Sequence, residues 1–329
     1  MKNGKRKTSL ISKIRHNFDG TFEIKTDPRH KGVFPKSEGL GTPFPVSCRD
    51  LFLNRKDTQI MDQKIIGFIG GGNMASAIMG GLLSSGLSDK DHIIAADKSP
   101  AAVERLQTTF GIRACTENTQ VSSQADILFL SVKPNMFAAV IPQIRKHLKP
   151  GSLIVSIAAG QSIEKIEELF EHPIKLVRVM PNTPALVGAS MSALCRNDNV
   201  SEEEIAEIKT LFDSFGESEI VSESLMDAVV GVSGSSPAYV YMFIEAMADA
   251  AVADGMPRNQ AYKFAAQSVL GSAKMVLETG KHPGELKDMV CSPAGTTIEA
   301  VAVLEQKGFR SAVIEAQRAC SRKSREMSK

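Results

Sequence analysis

The chain has 329 residues, 43% apolar and 23% charged, the mixture of a globular protein of about two domains rather than a disordered or collagenous chain. Five scattered cysteines (Cys48, Cys115, Cys195, Cys291, Cys320) form no C-x-x-C pair, so neither a disulfide framework nor a zinc site is indicated, no metal is expected, and a reducing compartment is. The formal charge of +2 is unevenly spread. Residues 1–60 hold 13 Lys/Arg against 6 Asp/Glu, while the remainder holds 26 against 31. No apolar run reaches the ~18 residues of a membrane span. The body has no basic stripe with interleaved aromatics, which argues against nucleic acid.

The basic arm, residues 1–60, is broken by Gly, Pro and Ser, as in Gly32–Ser47, and is expected to be mostly disordered. It lacks the apolar region of a secretory signal. Asp19, Glu23 and Asp27 count against a transit peptide. A start placed upstream of Met61, a targeting segment and a binding arm remain open.

From Lys64 the chain reads KIIGFIGGGNMASAIMGGLLSSG. Ile65–Ile69 is an apolar run of strand length, and Met74, Ile78 and Leu82 are apolar at helical spacing up to Gly86. Gly70, Gly72 and Ala75 between them form G-x-G-x-x-A. In a dinucleotide-binding unit these allow a tight turn, close approach of a pyrophosphate and close helix packing. The helix N-terminus then faces the phosphates. A purely structural Gly-rich turn is the alternative. The next strand, His92–Asp97, ends on an acid suited to a ribose 2′-hydroxyl, but Lys98 and Ser99 follow and suit a 2′-phosphate, so NADPH and NADH both stay open.

Further parallel-type strands are predicted at Asp126–Val132, Leu153–Ile157 and Lys175–Met180, nearly continuous apolar runs covered on both faces. Their ends carry Lys133-Pro134, Ala158-Ala159-Gly160 and Pro181-Asn182-Thr183-Pro184. Ligands bind outside such strand ends, although the same residues also simply terminate strands.

After Glu223 the pattern turns helical. Ser236 caps a helix with Pro237 first, carrying an apolar stripe of Val240, Phe243, Ile244, Met247 and Ala251 that stops at Gly255. Asn259–Thr279, Thr297–Gln306 and Phe309–Glu326 follow. Met242, Met247 and Met275 read as core or subunit interface. So many apolar helix faces predict dimerisation. Within Asp288–Glu305 a short helix breaks at Ser292-Pro293-Ala294-Gly295, and Thr296 or Thr297 is the expected N-cap of the next. Hydroxyls and free N–H groups there make a carboxylate site, or merely a capped turn.

A cofactor cleft implies hydride transfer, yet His92, His147, His172 and His282 occupy no catalytic setting. An alcohol dehydrogenase needs a strong base. A protonated imine is already electrophilic and needs positioning and a modest donor, so a small imino acid fits better. Asn259 and Lys263 would be the pair of a β-hydroxyacid dehydrogenase, without matching surroundings. A nucleotide-binding protein without turnover is the non-enzymatic alternative.

GFIGGGNMASAI, SVKP, VRVMPNTPALVG, VVGVSGSSPAYVYMFIEAMADAAV and LKDMVCSPAGTTIEAVAVLE closely resemble pyrroline-5-carboxylate reductases, from about Met61 onward. The resemblance implies reduction of 1-pyrroline-5-carboxylate to L-proline, the last step of proline biosynthesis, by a cytoplasmic enzyme using NADPH or NADH. It implies an α/β Rossmann-type domain (61–222) plus an all-α dimerisation domain (223–329), of 6-phosphogluconate-dehydrogenase-like architecture, in a homodimer that can assemble to a decamer. The cofactor would meet Ile69, Gly70, Gly71, Gly72, Asn73, Met74, Asp97, Lys98, Ser99, Asn118, Ser131, Val132, Lys133, Pro134, Ile157, Ala158 and Ala159. The substrate would meet Glu223, Ser292, Gly295, Thr296 and Thr297, with Thr297 catalytic against the ring nitrogen. Ala294 stands where many members have Gly, a methyl the family pattern tolerates, and Met289 stands where some have a ligand-touching Asn. The arm has no family counterpart, and Met61 falls where members begin.

Overall fold

The structure, a computed structural model, describes residues 14–16, 22–24 and 64–327. In the arm, β1 (Ile14–His16) and β2 (Phe22–Ile24) pair antiparallel, a short hairpin where irregular chain is expected; the rest of the arm, and Met61 after it, lie outside the described residues.

The body is built on one eight-stranded sheet. Its strands are β3 (Ile66–Ile69), β4 (Ile93–Ala96), β5 (Arg113–Cys115), β6 (Ile127–Leu130), β7 (Leu153–Ser156), β8 (Lys175–Met180), β9 (Ser190–Arg196) and β10 (Gly216–Ile220). The order is β10-β9-β8-β7-β6-β3-β4-β5. All pairs are parallel except β8 with β9. Successive strands step outward from β3 through β4 to β5 and then restart at β6 on its other side, so the switch point lies between β3 and β6. All four residues of each of β3, β4, β6 and β7 are buried, as strands covered on both faces require.

Six helices belong to this part: α1 (Asn73–Ser85), α2 (Pro100–Phe110), α3 (Asn118–Ser122), α4 (Phe137–Ile144), α5 (Ile163–Phe170) and α6 (Glu202–Asp213). One face of the sheet packs Phe68, Phe129, Ile78, Leu82, Ile208 and Phe212 together. Phe68 stacks on Phe129 at 4.6 Å between ring centroids, and Phe212 of α6 tilts against Phe129 at 6.2 Å. The opposite face buries Leu128, Leu130, Phe137, Ile141 and Phe170. α6 begins with a complete capping box, Ser201 with Glu204, which satisfies two N-terminal donors reciprocally.

The helical part follows through α7 (Met226–Val229) and a π turn at Val230–Gly234. Then come α8 (Ser236–Ala253), α9 (Arg258–Thr279), α10 (Pro283–Val290), α11 (Thr296–Gln306) and α12 (Phe309–Met327). Ser236 is not the cap of α8: the π turn runs straight into it, and Ser236 is its first residue. Gly255 and Gly280, at φ +97° and +63°, end α8 and α9 where the sequence predicts. α12 returns to the start of this part, where Ser324 Oγ donates to Asp227 Oδ1 at 2.6 Å. Among the described residues no helix is long and apolar enough to cross a membrane.

Candidate active site

The glycine loop leaves β3 at the switch point. Gly70 has φ +101°, and a Cβ there would lie 2.9 Å from the Ser131 carbonyl oxygen. Only glycine avoids both penalties. Ser131 closes the turn from the β6 side, its hydroxyl donating to the Ile69 and Gly70 carbonyls at 2.9 and 2.8 Å. α1 then starts at Asn73 with Gly72 as an N-cap that offers no side chain. The first bond closing its opening turn runs from Ser76 N–H to the Gly72 carbonyl at 2.9 Å. The N–H groups of Asn73, Met74 and Ala75 thus stand open beside an exposed Gly72 and Asn73, which suits a dinucleotide's pyrophosphate.

Around this loop the structure gathers the remaining predicted cofactor residues at the carboxyl ends of the strands. Val132, Lys133 and Pro134 follow β6, and Ile157, Ala158 and Ala159 follow β7. Lys133 is exposed, and Ala158 is buried. Asn118, the first residue of α3, donates from Nδ2 to Gln143 Oε1 at 3.0 Å. Asp97 follows β4, but its carboxylate is engaged within the protein: Oδ2 accepts from Gly71 N–H at 2.8 Å and Oδ1 from Ser99 N–H at 2.9 Å. Arg105, unremarked in the sequence reading, donates from Nη2 to the Gly71 carbonyl at 2.5 Å.

Two polar clusters tie the sheet to the helical part. Glu223 Oε1 accepts from Arg178 Nη1 and from Ile163 N–H, both at 2.8 Å. The carboxylate therefore sits at the N-terminus of α5, where the helix dipole favours it. Nearby, burial first and the Glu223 charge second push the Cys195 thiol up to about 12, against the opposing pull of Arg178, so Cys195 is no thiolate nucleophile at neutral pH. In the second cluster, Asn182 Nδ2 donates to the Ser233 carbonyl at 3.3 Å, while its Oδ1 accepts from Met191 N–H at 3.0 Å and the Ser190 hydroxyl at 3.3 Å. Asn182 is buried and pins the π turn to β9. Its position after β8 is visible in the sequence; the bonds to residues 8 to 51 positions away are not.

The predicted substrate cluster, Ser292 to Thr297, lies between α10 and α11. Gly295, not a threonine, occupies the N-cap, with extended backbone (φ −84°, ψ 168°). Thr296 and Thr297 are the first two helical residues, so their hydroxyls are not spent on capping. A Cβ on Gly295 would collide with the Ser292 hydroxyl oxygen, which shows how tightly the loop folds. Ala294 is held in the left-handed region at φ +56°; the methyl is accommodated, but in a conformation that favours glycine. The first intrahelical bond, Glu299 N–H to the Gly295 carbonyl, is 3.5 Å long, so the N–H groups of Thr296, Thr297 and Ile298 are free for an anion. Among the described residues no hydrogen bond joins Ser292–Thr297 to the strand ends.

Three histidines make local contacts. His92 Nδ1 meets Asp89, His172 bonds the Arg145 and Pro173 carbonyls, and His282 accepts from Gly284 N–H at the start of α10. Asn259 and Lys263 are both exposed on α9.

Comparison with known proteins agrees with this geometry. Residues 65–160 match the family described as NADP oxidoreductase, coenzyme F420-dependent, and residues 223–327 match pyrroline-5-carboxylate reductase dimerisation. A pyrroline-5-carboxylate reductase of Escherichia coli is 55% identical over 267 residues, covering 81% of this chain and 99% of the relative. One from Methanosarcina acetivorans is 43% identical over 82% of this chain and all of its own length. The crystal structure of Plasmodium falciparum pyrroline carboxylate reductase with NADP bound superposes with a TM-score of 0.76 at 32% identity, over 82% of this chain and 100% of that one. With the G-x-G-x-x-A turn at its switch point and a matching helical domain, this chain belongs to the pyrroline-5-carboxylate reductase family.

Proposed function

We propose that this chain reduces 1-pyrroline-5-carboxylate to L-proline with NADPH, as a cytoplasmic homodimer of two-domain subunits (61–222 and 223–329). The observation that carries the reading is the loop Ser292–Thr297, with two uncapped hydroxyls and three free helix N–H groups, in a chain of which 81% matches 99% of a known reductase.

NADPH supplies the hydride when bound. The open N-terminus of α1 and the Gly70–Gly72 backbone hold its pyrophosphate, and Ser131–Pro134 and Ile157–Ala159 border the nicotinamide end. The N–H groups of Thr296 and Thr297 and the Ser292 hydroxyl hold the substrate carboxylate. The Thr297 hydroxyl bonds the ring nitrogen and fixes the imine carbon for attack, which is positioning rather than strong acid–base work. Glu223, whose Oε1 is held by Ile163 N–H and Arg178, also borders the substrate. The dimerisation match over residues 223–327 supports a second copy that brings the two halves together. That copy also covers the helical faces that carry Met242, Phe264 and Leu277, exposed by 70, 66 and 80%. Decamers of this chain would form from such dimers.

The test is oxidation of NADPH by the full-length protein with 1-pyrroline-5-carboxylate. Thr297→Ala should lower kcat at least about tenfold, the smallest part of a positioning effect, while NADPH affinity holds. Unchanged kcat removes Thr297 from the mechanism. Folded protein that binds NADPH but turns nothing over overturns the reductase reading.

A further inference from the structure

We propose that Arg105 determines preference for the 2′-phosphorylated dinucleotide, while Asp97 serves as a brace for the glycine loop and not as the ribose ligand. The inference rests on the cofactor reading above and adds a residue to it.

Two side chains hold opposite ends of one residue. Asp97 takes the Gly71 N–H and Arg105 the Gly71 carbonyl. With its second oxygen on Ser99 N–H, Asp97 has each carboxylate oxygen committed to backbone that shapes the turn after β4. An acid at this strand end ordinarily accepts from the ribose 2′-hydroxyl; this one is already at work inside the loop.

Arg105 is in a different state. It is exposed, and no carboxylate pairs with it among the described residues. A guanidinium has five N–H donors, and the Gly71 carbonyl takes one. The remaining fork stands beside Gly71, on the Asp97 side of the cofactor cleft, without a direct ion pair among the described residues. Lys98, next to Asp97, is also exposed and without an ion pair among the described residues. A 2′-phosphate brings about −1.5 to −2 charge, which these two cations would offset against Asp97. Arg105 is the determinant of the pair because it is already anchored to the loop and its planar fork can meet phosphate bidentately, whereas a lysine acts as a mobile point charge.

The experiment measures dissociation constants of NADPH and NADH by nucleotide fluorescence, on full-length wild type, Arg105→Ala and Arg105→Lys. Thermal shifts with adenosine 2′,5′-bisphosphate and with 5′-AMP give a readout that needs no turnover. Arg105→Ala should weaken NADPH about ten- to hundredfold, the size of a lost charge-assisted bond, with NADH within about twofold. The bisphosphate shift should shrink while that of 5′-AMP persists, and Arg105→Lys should fall between. Equal weakening of NADPH and NADH would make Arg105 a brace only, and no weakening of either would remove it; both overturn the proposal and leave the cofactor reading standing. Wild type that binds neither nucleotide overturns the cofactor reading itself.

Discussion

The sheet part and the helical part meet their apolar surface in opposite ways. In the sheet part five phenylalanines, Phe68, Phe129, Phe137, Phe170 and Phe212, are wholly buried. In α8 to α12 the buried apolar residues are three alanines, Ala248, Ala261 and Ala265, while Phe243, Phe264, Leu270, Met275 and Leu277 face outward. Helices that display large side chains and bury small ones have their core elsewhere. The first part carries its own core; the second awaits a partner's. The loop Ser292–Thr297, with its free hydroxyls, belongs to the dependent part.

Two substitutions should separate these regimes most sharply. Gly70→Ala puts a methyl at φ +101° against the Ser131 carbonyl. It should cost about 2–3 kcal/mol, read as a lower unfolding midpoint and lost NADPH affinity, with the dimer intact. Phe264→Glu inverts the pattern. On a free surface it would be neutral within about 0.5 kcal/mol. On a covered one it forfeits roughly 1.5–3 kcal/mol of burial and adds a desolvated charge. Sedimentation should show a shift toward monomer of more than about tenfold. A dimer of unchanged affinity would mean that this face of α9 is not the covered one.

The same contrast explains what the sequence discloses. β3, β6, β7 and β8 are legible because burial on both faces writes them as continuous apolar runs. β9, Ser190–Arg196, escapes because its buried serines look like loop: Ser190 and Ser192 bond each other, and Asn182 supplies the remaining acceptor. The G-x-G-x-x-A turn is legible from spacing: Gly70 answers a local steric demand, while a Cβ on Gly72 would meet no protein atom and the glycine leaves that side open. Thr297 is legible chiefly through family resemblance, and the capping expectation at Thr296 or Thr297 fails because the extended Gly295 takes that position. Arg105 and Asp97 meet through Gly71, 34 and 26 residues away, a relation no local pattern encodes.

A smaller effect tests how the amino ends of the two central strands, β3 and β6, are tied electrostatically. Burial works to raise the Asp126 carboxyl, but Lys149 and the Ile65 N–H outweigh it, and the net shift is downward. Its bonds are 2.6 Å to Lys149 Nζ and 3.0 Å from Ile65 N–H. A carboxyl lowered in the folded state adds stability above its unfolded value of about 3.9, and loses it as pH falls through the folded value. Asp126→Asn should therefore cost about 1 kcal/mol at neutral pH, discounted for the half-exposed lysine. That cost should vanish in acid below the folded value. A penalty independent of pH would assign the effect to packing.

The smallest effect concerns the dependent part alone. The sheet part gives its left-handed positions to glycine at Gly70, Gly86, Gly111, Gly151, Gly160 and Gly188, with Glu171 the exception, whereas the loop Ser292–Thr297 gives one to Ala294. An alanine there costs about 1–2 kcal/mol in the folded chain, partly offset because alanine restricts the unfolded chain by about 0.4–1 kcal/mol relative to glycine. Ala294→Gly should thus stabilise the protein by about 0.5–1 kcal/mol, read as a slightly higher denaturant midpoint at unchanged slope. A net loss of stability would mean that Ala294 leaves the left-handed region when the partner's surface covers the loop. The strain would then mark a loop that the dimer finishes folding.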